Sequence, residues 1–289
     1  MNGIINIYKE KGYTSHDVVN VLRKLFHTKK IGHTGTLDPD ATGVLPICIG
    51  DATRIAEYLT EKNKTYIARM AFGNATDTQD ASGEVIEISS LPSISENEFK
   101  LICEEFLGKQ FQVPPMYSAI KYKGKPLYKY AREGIVITDL PTREIEIYNV
   151  KVLYFSSSEA EIEISCSKGT YIRTLCVDIA KRIGVCAHLT HLERTQSGIF
   201  KLESSILLNT LKASDNLDRY LISIEESLVD MDSIDVSLED FKKIQNGQSV
   251  KVAISQDIIP IVAKFQNKII SIGKIEKNFF KPRKVFSGK

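Results

Sequence analysis

The chain has 289 residues, is 43% hydrophobic and 26% charged, and carries a formal net charge of +2. That balance excludes a disordered chain, and the length favours one large domain plus a small one over a single core. No apolar run approaches the ~18 residues of a spanning helix, which argues against a membrane protein. The opening Met1-Asn2-Gly3-Ile4-Ile5-Asn6-Ile7-Tyr8 is too short and too interrupted for a signal peptide, so a cytoplasmic location is expected. Cys48, Cys103, Cys166, Cys176 and Cys186 are odd in number and never closer than ten apart, which predicts free, buried thiols and neither a disulfide framework nor a Cys-x-x-Cys metal site.

In chain order, Ser15 precedes Val18, Val19, Leu22, Leu25 and Phe26, an apolar stripe at helical spacing. A glycine-punctuated loop follows from Gly32 to Gly43. Thr65 to Phe72 alternates and reads as a strand, and Ser95 with Glu98 forms a capping box before a helix through Phe99, Ile102, Cys103, Phe106 and Leu107 that Gly108 closes. Residues 106–132 carry no acid, but Lys109, Lys121, Lys123, Lys125, Lys129 and Arg132 interleave with Tyr117, Tyr122, Tyr128 and Tyr130. Cations for phosphates and rings for unstacked bases are what an RNA surface needs, so this segment is expected to bind RNA. Glu144 to Val152 and Ala160 to Cys166 read as strands whose Ser156-Ser157-Ser158 connection implies antiparallel pairing. Thr170 is a plausible N-cap for a helix starting at Tyr171, with Ile172, Leu175, Val177, Ile179 and Ile183 as its stripe and Gly184 as its stop.

The last ninety residues divide by charge. Residues 201–240 hold three Lys/Arg against ten Asp/Glu, a net −7, and residues 241–289 hold eleven against two, a net +9, so residues 1–200 are neutral. The acidic stretch, 201–238, reads as a solvated connector; the basic tail reads as a polyanion-binding unit or as an ordinary charged surface. The tail begins with a short helix at Phe241-Lys242-Lys243-Ile244-Gln245-Asn246 stopped by Gly247, and continues in β-rich runs Ser249–Ala253, Ile258–Phe265 and Lys268–Ile275.

The loop Gly32-His33-Thr34-Gly35-Thr36-Leu37-Asp38-Pro39-Asp40-Ala41-Thr42-Gly43 holds the chemistry. Its glycines allow backbone angles closed to other residues, and Pro39 biases Asp38 towards an extended conformation, so one carboxylate is presented in a fixed direction. No Lys stands between Gly32 and Asp51, which rules out a P-loop; a calcium loop would need Glu where Ile49 stands. A metal-dependent nuclease would need clustered carboxylates, and Asp38, Asp40 and Asp51 form no recognised ligand set. A lone carboxylate acting as nucleophile or general base, and a turn whose Asp caps a backbone amide, both stay open on these residues alone.

His33-Thr34-Gly35-Thr36-Leu37-Asp38-Pro39-Asp40-Ala41-Thr42-Gly43-Val44-Leu45-Pro46 resembles the signature of the bacterial TruB family, the tRNA pseudouridine(55) synthases. The likeness continues through Lys64-Thr65-Tyr66, through Gln112-Val113-Pro114-Pro115-Met116-Tyr117-Ser118-Ala119-Ile120-Lys121 and through Gly169-Thr170-Tyr171-Ile172-Arg173-Thr174-Leu175. One departure stands near the start, where the family's Lys-Pro-x-Gly-x-Thr-Ser is Lys9-Glu10-Lys11-Gly12-Tyr13-Thr14-Ser15.

The resemblance implies an α+β fold: a mixed, mainly antiparallel sheet of the pseudouridine synthase type with flanking helices at 1–238, and a small PUA-like β-barrel that binds RNA at 239–289. It implies isomerisation of uridine to pseudouridine in the T arm of tRNA, with Asp38 as the catalytic residue attacking either the ribose or the pyrimidine ring. Arg173 then pairs with Asp38 and lowers its pKa, Tyr66 contacts the base and takes part in proton removal, His33 fills the gap left by the flipped nucleotide, and Leu192 packs over the base. Tyr171 and Lys9 join the substrate site. No cofactor, no metal, no membrane and no obligatory protein partner are expected, and the enzyme is expected to be a monomer. The competing reading is a non-catalytic RNA-binding or tRNA-folding protein on the same scaffold.

Overall fold

The structure, a computed structural model, describes residues 2–137 and 139–286. Among them the main sheet has ten strands, in the order Ile206–Leu207, Gly3–Lys9, Thr42–Ile49, Ala187–Ser197, Lys64–Phe72, Glu159–Cys166, Arg143–Phe155 and Gly108–Gln112, with Ile31–His33 and Phe200–Lys201 beside this path. Only the pairs of Gly3–Lys9 with Ile206–Leu207 and of Thr42–Ile49 with Ala187–Ser197 are parallel, so the sheet is mixed and mainly antiparallel, as expected.

Its two halves differ in how many faces are covered, and the residues follow that difference. Lys64–Phe72 and Glu159–Cys166 alternate because one face meets the core: Tyr66, Ala68, Met70 and Phe72 lie inside with Ala160, Ile162, Ile164 and Cys166. Thr42–Ile49 has no polar face, since Leu45, Ile47 and Ile49 enter that core while Val44 and Cys48 enter a second cluster behind the sheet. The second cluster also takes Val262, Ile269, Ile272 and Phe286 from the C-terminal sheet, so the small unit is seated on the large one.

Three helices cover the first face. Ser15–Leu25 is N-capped by Thr14, whose Oγ1 accepts from Asp17 N at 3.0 Å, and not by Ser15, whose hydroxyl is turned inward. Glu96–Glu104 starts with the expected Ser95–Glu98 capping box, and its Phe99 stacks on Phe155 with ring centres 4.6 Å apart. Ile172–Ile183 begins one residue later than expected: Tyr171 is the N-cap, while Thr170 Oγ1 donates to the Ser167 carbonyl at 3.0 Å and is lost to the cap.

The C-terminal sheet, the PUA-like unit, runs Ser233–Asp235, Ile258–Phe265, Lys268–Glu276, Phe279–Val285, Val250–Lys251. It takes in a strand upstream of residue 239. The run expected over Ser249–Ala253 pairs only at Val250 and Lys251, because its partner strand starts at Phe279 opposite Lys251. The acidic stretch is not merely a solvated connector. Its acids face water, but Leu208, Leu211 and Leu228 are buried, and Ile222 pairs with Ile4 through hydrogen bonds of 2.8 and 2.7 Å. Four of the five free thiols are buried; Cys186 is partly exposed. No helix among the described residues is long and apolar enough to cross a membrane.

Candidate active site

The loop carrying Asp38 is fastened from behind by the segment that opens the chain. Lys9 is fully buried, and its Nζ donates to the carbonyls of Tyr13, Pro39 and Glu10 at 2.6, 3.0 and 3.2 Å. Ser15 Oγ accepts from Leu37 N at 2.9 Å, and Gly12 N donates to Pro39 O at 2.9 Å. Carbonyls and amides on both sides of Asp38 are therefore held, which leaves its side chain to point into the cleft. Burial pushes the Lys9 ammonium down to about 8, against the pull of Asp38 and Asp40. Expected at the substrate, Lys9 instead has its three donors engaged by backbone and acts on the loop.

At its far end the loop enters the sheet at Gly43, with φ +99, directly beside Arg194. A Cβ there would overlap the Arg194 carbonyl oxygen, so the close parallel crossing requires glycine. Gly32, by contrast, has no left-handed backbone.

Asp38 meets Arg173 as the resemblance implies. Arg173 Nε lies 3.0 Å from Asp38 Oδ2, and the guanidinium is 4% exposed. Its Nη1 donates to the Thr78 carbonyl at 2.8 Å, its Nη2 to the Tyr117 carbonyl at 2.9 Å, and Asp80 Oδ2 stands 3.7 Å from Nη1. One planar cation thus gathers the Asp38 loop, the 78–80 turn and the segment at Tyr117. Its own position is set by Gln112, a buried side chain that accepts from Tyr171 N at 2.8 Å and donates to Tyr171 O at 3.1 Å, fixing the start of the helix.

Burial holds the Asp38 carboxyl above its ordinary 3.8; Arg173 opposes this, Asp80 adds to it and Lys9 opposes it. The net direction is upward, against the expected lowering, because desolvation and a second carboxylate outweigh the arginine.

Asp38, Asp80, Arg173 and Leu192 line one cleft, with Lys11 and His191 at its rim. Tyr66 lies just behind this lining, 9% exposed, on the strand next to Leu192. Burial raises its phenol pKa, and Arg194 works against that rise. His33 is half-buried at the end of Ile31–His33, its Nδ1 accepting from Gly35 N at 3.4 Å; burial and then Arg194 lower its pKa, favouring a neutral imidazole. Tyr171 caps the Arg173 helix beside the cleft. In the 106–132 segment, Lys123, Lys125 and Arg132 lie over the rings of Tyr122, Tyr130 and Tyr128, and Lys125 also pairs with Glu133.

Sequence reasoning missed Asp80, Gln112 and Arg194. For Arg194 a signal was present: it follows Leu192 by two in a strand and must share its inward face.

Residues 23–172 match the TruB family pseudouridylate synthase N-terminal domain, and residues 173–229 match the tRNA pseudouridylate synthase B C-terminal domain. The chain is 44% identical to the tRNA pseudouridine synthase B of Listeria innocua over 99% of this chain and 98% of that one. It is 45% identical to its namesake from Bacillus pumilus over 86% and 82%. Among solved structures, a chain of a Cbf5-Nop10-Gar1 complex shares the fold with a TM-score of 0.74 at 24% identity, over 99% of this chain and 84% of that one. By the matched domains and these relatives, the chain belongs to the TruB family of pseudouridylate synthases.

Proposed function

We propose that this protein isomerises uridine to pseudouridine at position 55 in the T arm of tRNA, with Asp38 as nucleophile toward a uridine flipped out of its stack. The observation that carries this reading is the Asp38–Arg173 contact of 3.0 Å, made by a loop-mounted carboxylate and a buried arginine at a cleft that Leu192 also lines. A caught base would lie between the carboxylate and an apolar wall, with Tyr66 behind it. The names of the relatives, tRNA pseudouridine synthase B, support tRNA as the substrate. The N1–C1′ bond breaks and a C5–C1′ bond forms, so atoms and oxidation state are conserved. His33 occupies the space the nucleotide vacates, and the 106–132 segment and the PUA-like unit hold the phosphates. The enzyme acts alone, as a cytoplasmic monomer, with no cofactor or metal.

Release of tritium from carbon 5 of the T-arm uridine measures the reaction. Asp38→Asn should abolish release while leaving RNA affinity within about tenfold, because one of many contacts changes but the attacking group is removed. Release at the wild-type rate from Asp38→Asn would refute the assignment, and a wild-type protein that binds the hairpin without release would favour a non-catalytic scaffold.

A further inference from the structure

Arg194 stands directly opposite Tyr66 on the neighbouring strand, two residues after Leu192. It is 1% exposed, and among the described residues it has no ion-pair partner; Asp38, the carboxylate that faces Tyr66, is paired with Arg173. Its Nε donates to the Val44 carbonyl at 2.7 Å and its Nη2 to the Gly35 carbonyl at 3.3 Å, and the strand register sets its side chain beside that of Tyr66 on the same face of the sheet.

A guanidinium cannot shed its proton, and a buried cation with no counter-charge is costly to keep. Such a cation has a reason to be there if an anion forms beside it during the reaction. The charged and titratable groups facing Tyr66 are Arg194 from its own sheet neighbour, Asp38 from the loop and Cys166 from the strand on the other side. Those bearing on Arg194 from other elements are His33, Lys9, Lys64 and Cys166, none of them a carboxylate. Asp38 is already paired with Arg173, and Cys166 is pushed up to about 11 by burial. The anion left for Arg194 is the phenolate of Tyr66.

We propose that Arg194 is a positioning residue for Tyr66, holding the phenol at the rotated uracil and stabilising its phenolate while the proton on carbon 5 is removed. This rests on the pseudouridine synthase reading of the site. Tyr66, having lost its proton to solvent, takes the proton from carbon 5, and the C5–H electron pair becomes the C5=C6 double bond. With Asp38 on the ribose, the C6=N1 pair moves onto N1, which takes a proton from water. With Asp38 on carbon 6, the same pair expels the carboxylate. Arg194 is bonded to the Gly35 carbonyl, three residues from Asp38, and stands opposite Tyr66 in the sheet, so one residue bridges the Asp38 loop and the Tyr66 strand.

The test is single-turnover conversion of a T-arm hairpin carrying hydrogen or deuterium at carbon 5, by the full chain and by Arg194→Lys, Tyr66→Phe and the double variant. Arg194→Lys should slow product formation about tenfold or more, a part of the roughly 10²–10⁴-fold that general-base catalysis contributes, and should raise the isotope effect because proton removal becomes limiting. In the Tyr66→Phe background the same change should add little, since its target is gone. An unchanged isotope effect in an Arg194→Lys protein of wild-type melting temperature, or rate losses that multiply in the double variant, would overturn the role. Should Arg194→Lys fail to fold, the Arg194 guanidinium ¹⁵N resonances of the wild type and Tyr66→Phe serve instead: a displaced signal supports the contact and an unmoved one overturns it. A wild-type protein that releases no carbon-5 hydrogen overturns the activity itself, whereas a working enzyme with an unmoved isotope effect overturns only the role of Arg194.

Discussion

Arg173 divides its donors among Asp38, Thr78 and Tyr117, with Asp80 3.7 Å away, and a lysine cannot reproduce that fork. Arg173→Lys should therefore lower the turnover rate at saturating RNA by roughly a hundredfold or more, the loss typical of removing one preorganised donor, although the charge is kept. Single-turnover kinetics at saturating RNA check it, and near-normal activity would mean that charge alone suffices. A second residue-scale prediction concerns pH. On the proposed mechanism Asp38 reacts as carboxylate, so with its pKa raised the rate should fall as the medium is acidified through a value above the ordinary 3.8. Asp80→Asn removes a like charge, and should move that acid limb of the pH–rate profile to lower pH. A limb that stays put would show that burial alone sets it. Asp38 and Arg173 were legible because each sits in a contiguous signature block, whereas Asp80 was not, and Arg194 was legible only as an inward-facing strand residue, not in what it meets. Their partners are fixed by strand register and by a turn, which no local run of residues states.

At the scale of elements, the one-sided strands were readable and the central one was not, for the same reason. Alternation reports a sheet face open to water, and Thr42–Ile49 has none. Caps were read to within a residue: Ser95 held its place, but Tyr171 displaced Thr170, because the Thr170 hydroxyl bonds back to Ser167 O and Gln112 holds the Tyr171 backbone. Gln112 joins the edge strand Gly108–Gln112 to the first turn of Ile172–Ile183 through both backbone groups of Tyr171. Gln112→Ala should cost about 1–3 kcal/mol of stability, the penalty for leaving buried polar groups unmatched. It should also lower kcat more than it weakens RNA binding, since the displaced element carries Arg173. Chemical denaturation and single-turnover rates on the same variant test both halves, and a stable variant of normal rate would remove Gln112 from the positioning chain.

For the whole molecule, the tail's +9 survives only in part as free charge. Lys274 and Lys281 both pair with Glu276, Lys243 pairs with Glu239, and Lys284 pairs with Glu57 on the large domain. Lys251, Lys277 and Arg283 are exposed and outside these pairs. Replacing these three by Ala should flatten the logarithmic salt dependence of tRNA binding by roughly one unit for each phosphate no longer neutralised, with turnover at saturating RNA unchanged. Parallel slopes would make the tail an ordinary solvated surface. Removing residues 239–289 outright is a poorer experiment, since Val262, Ile269, Ile272 and Phe286 leave Val44 and Cys48 uncovered behind the catalytic strand.

The crossing at Gly43 and Arg194 has a consequence for biosynthesis. Asp38 leaves the ribosome early, yet its loop is clasped by a strand from Ala187–Ser197, and the opening strand is sealed only when Ile206–Leu207 and Ile222 arrive. Closing loops of that length is slow beside local helix formation, so a nascent chain can hold formed helices long before it holds a catalytic centre. On the proposed site, catalysis therefore switches on with the last contacts of the large domain, and a stalled or truncated chain ending before residue 194 lacks the strand that clasps the Asp38 loop.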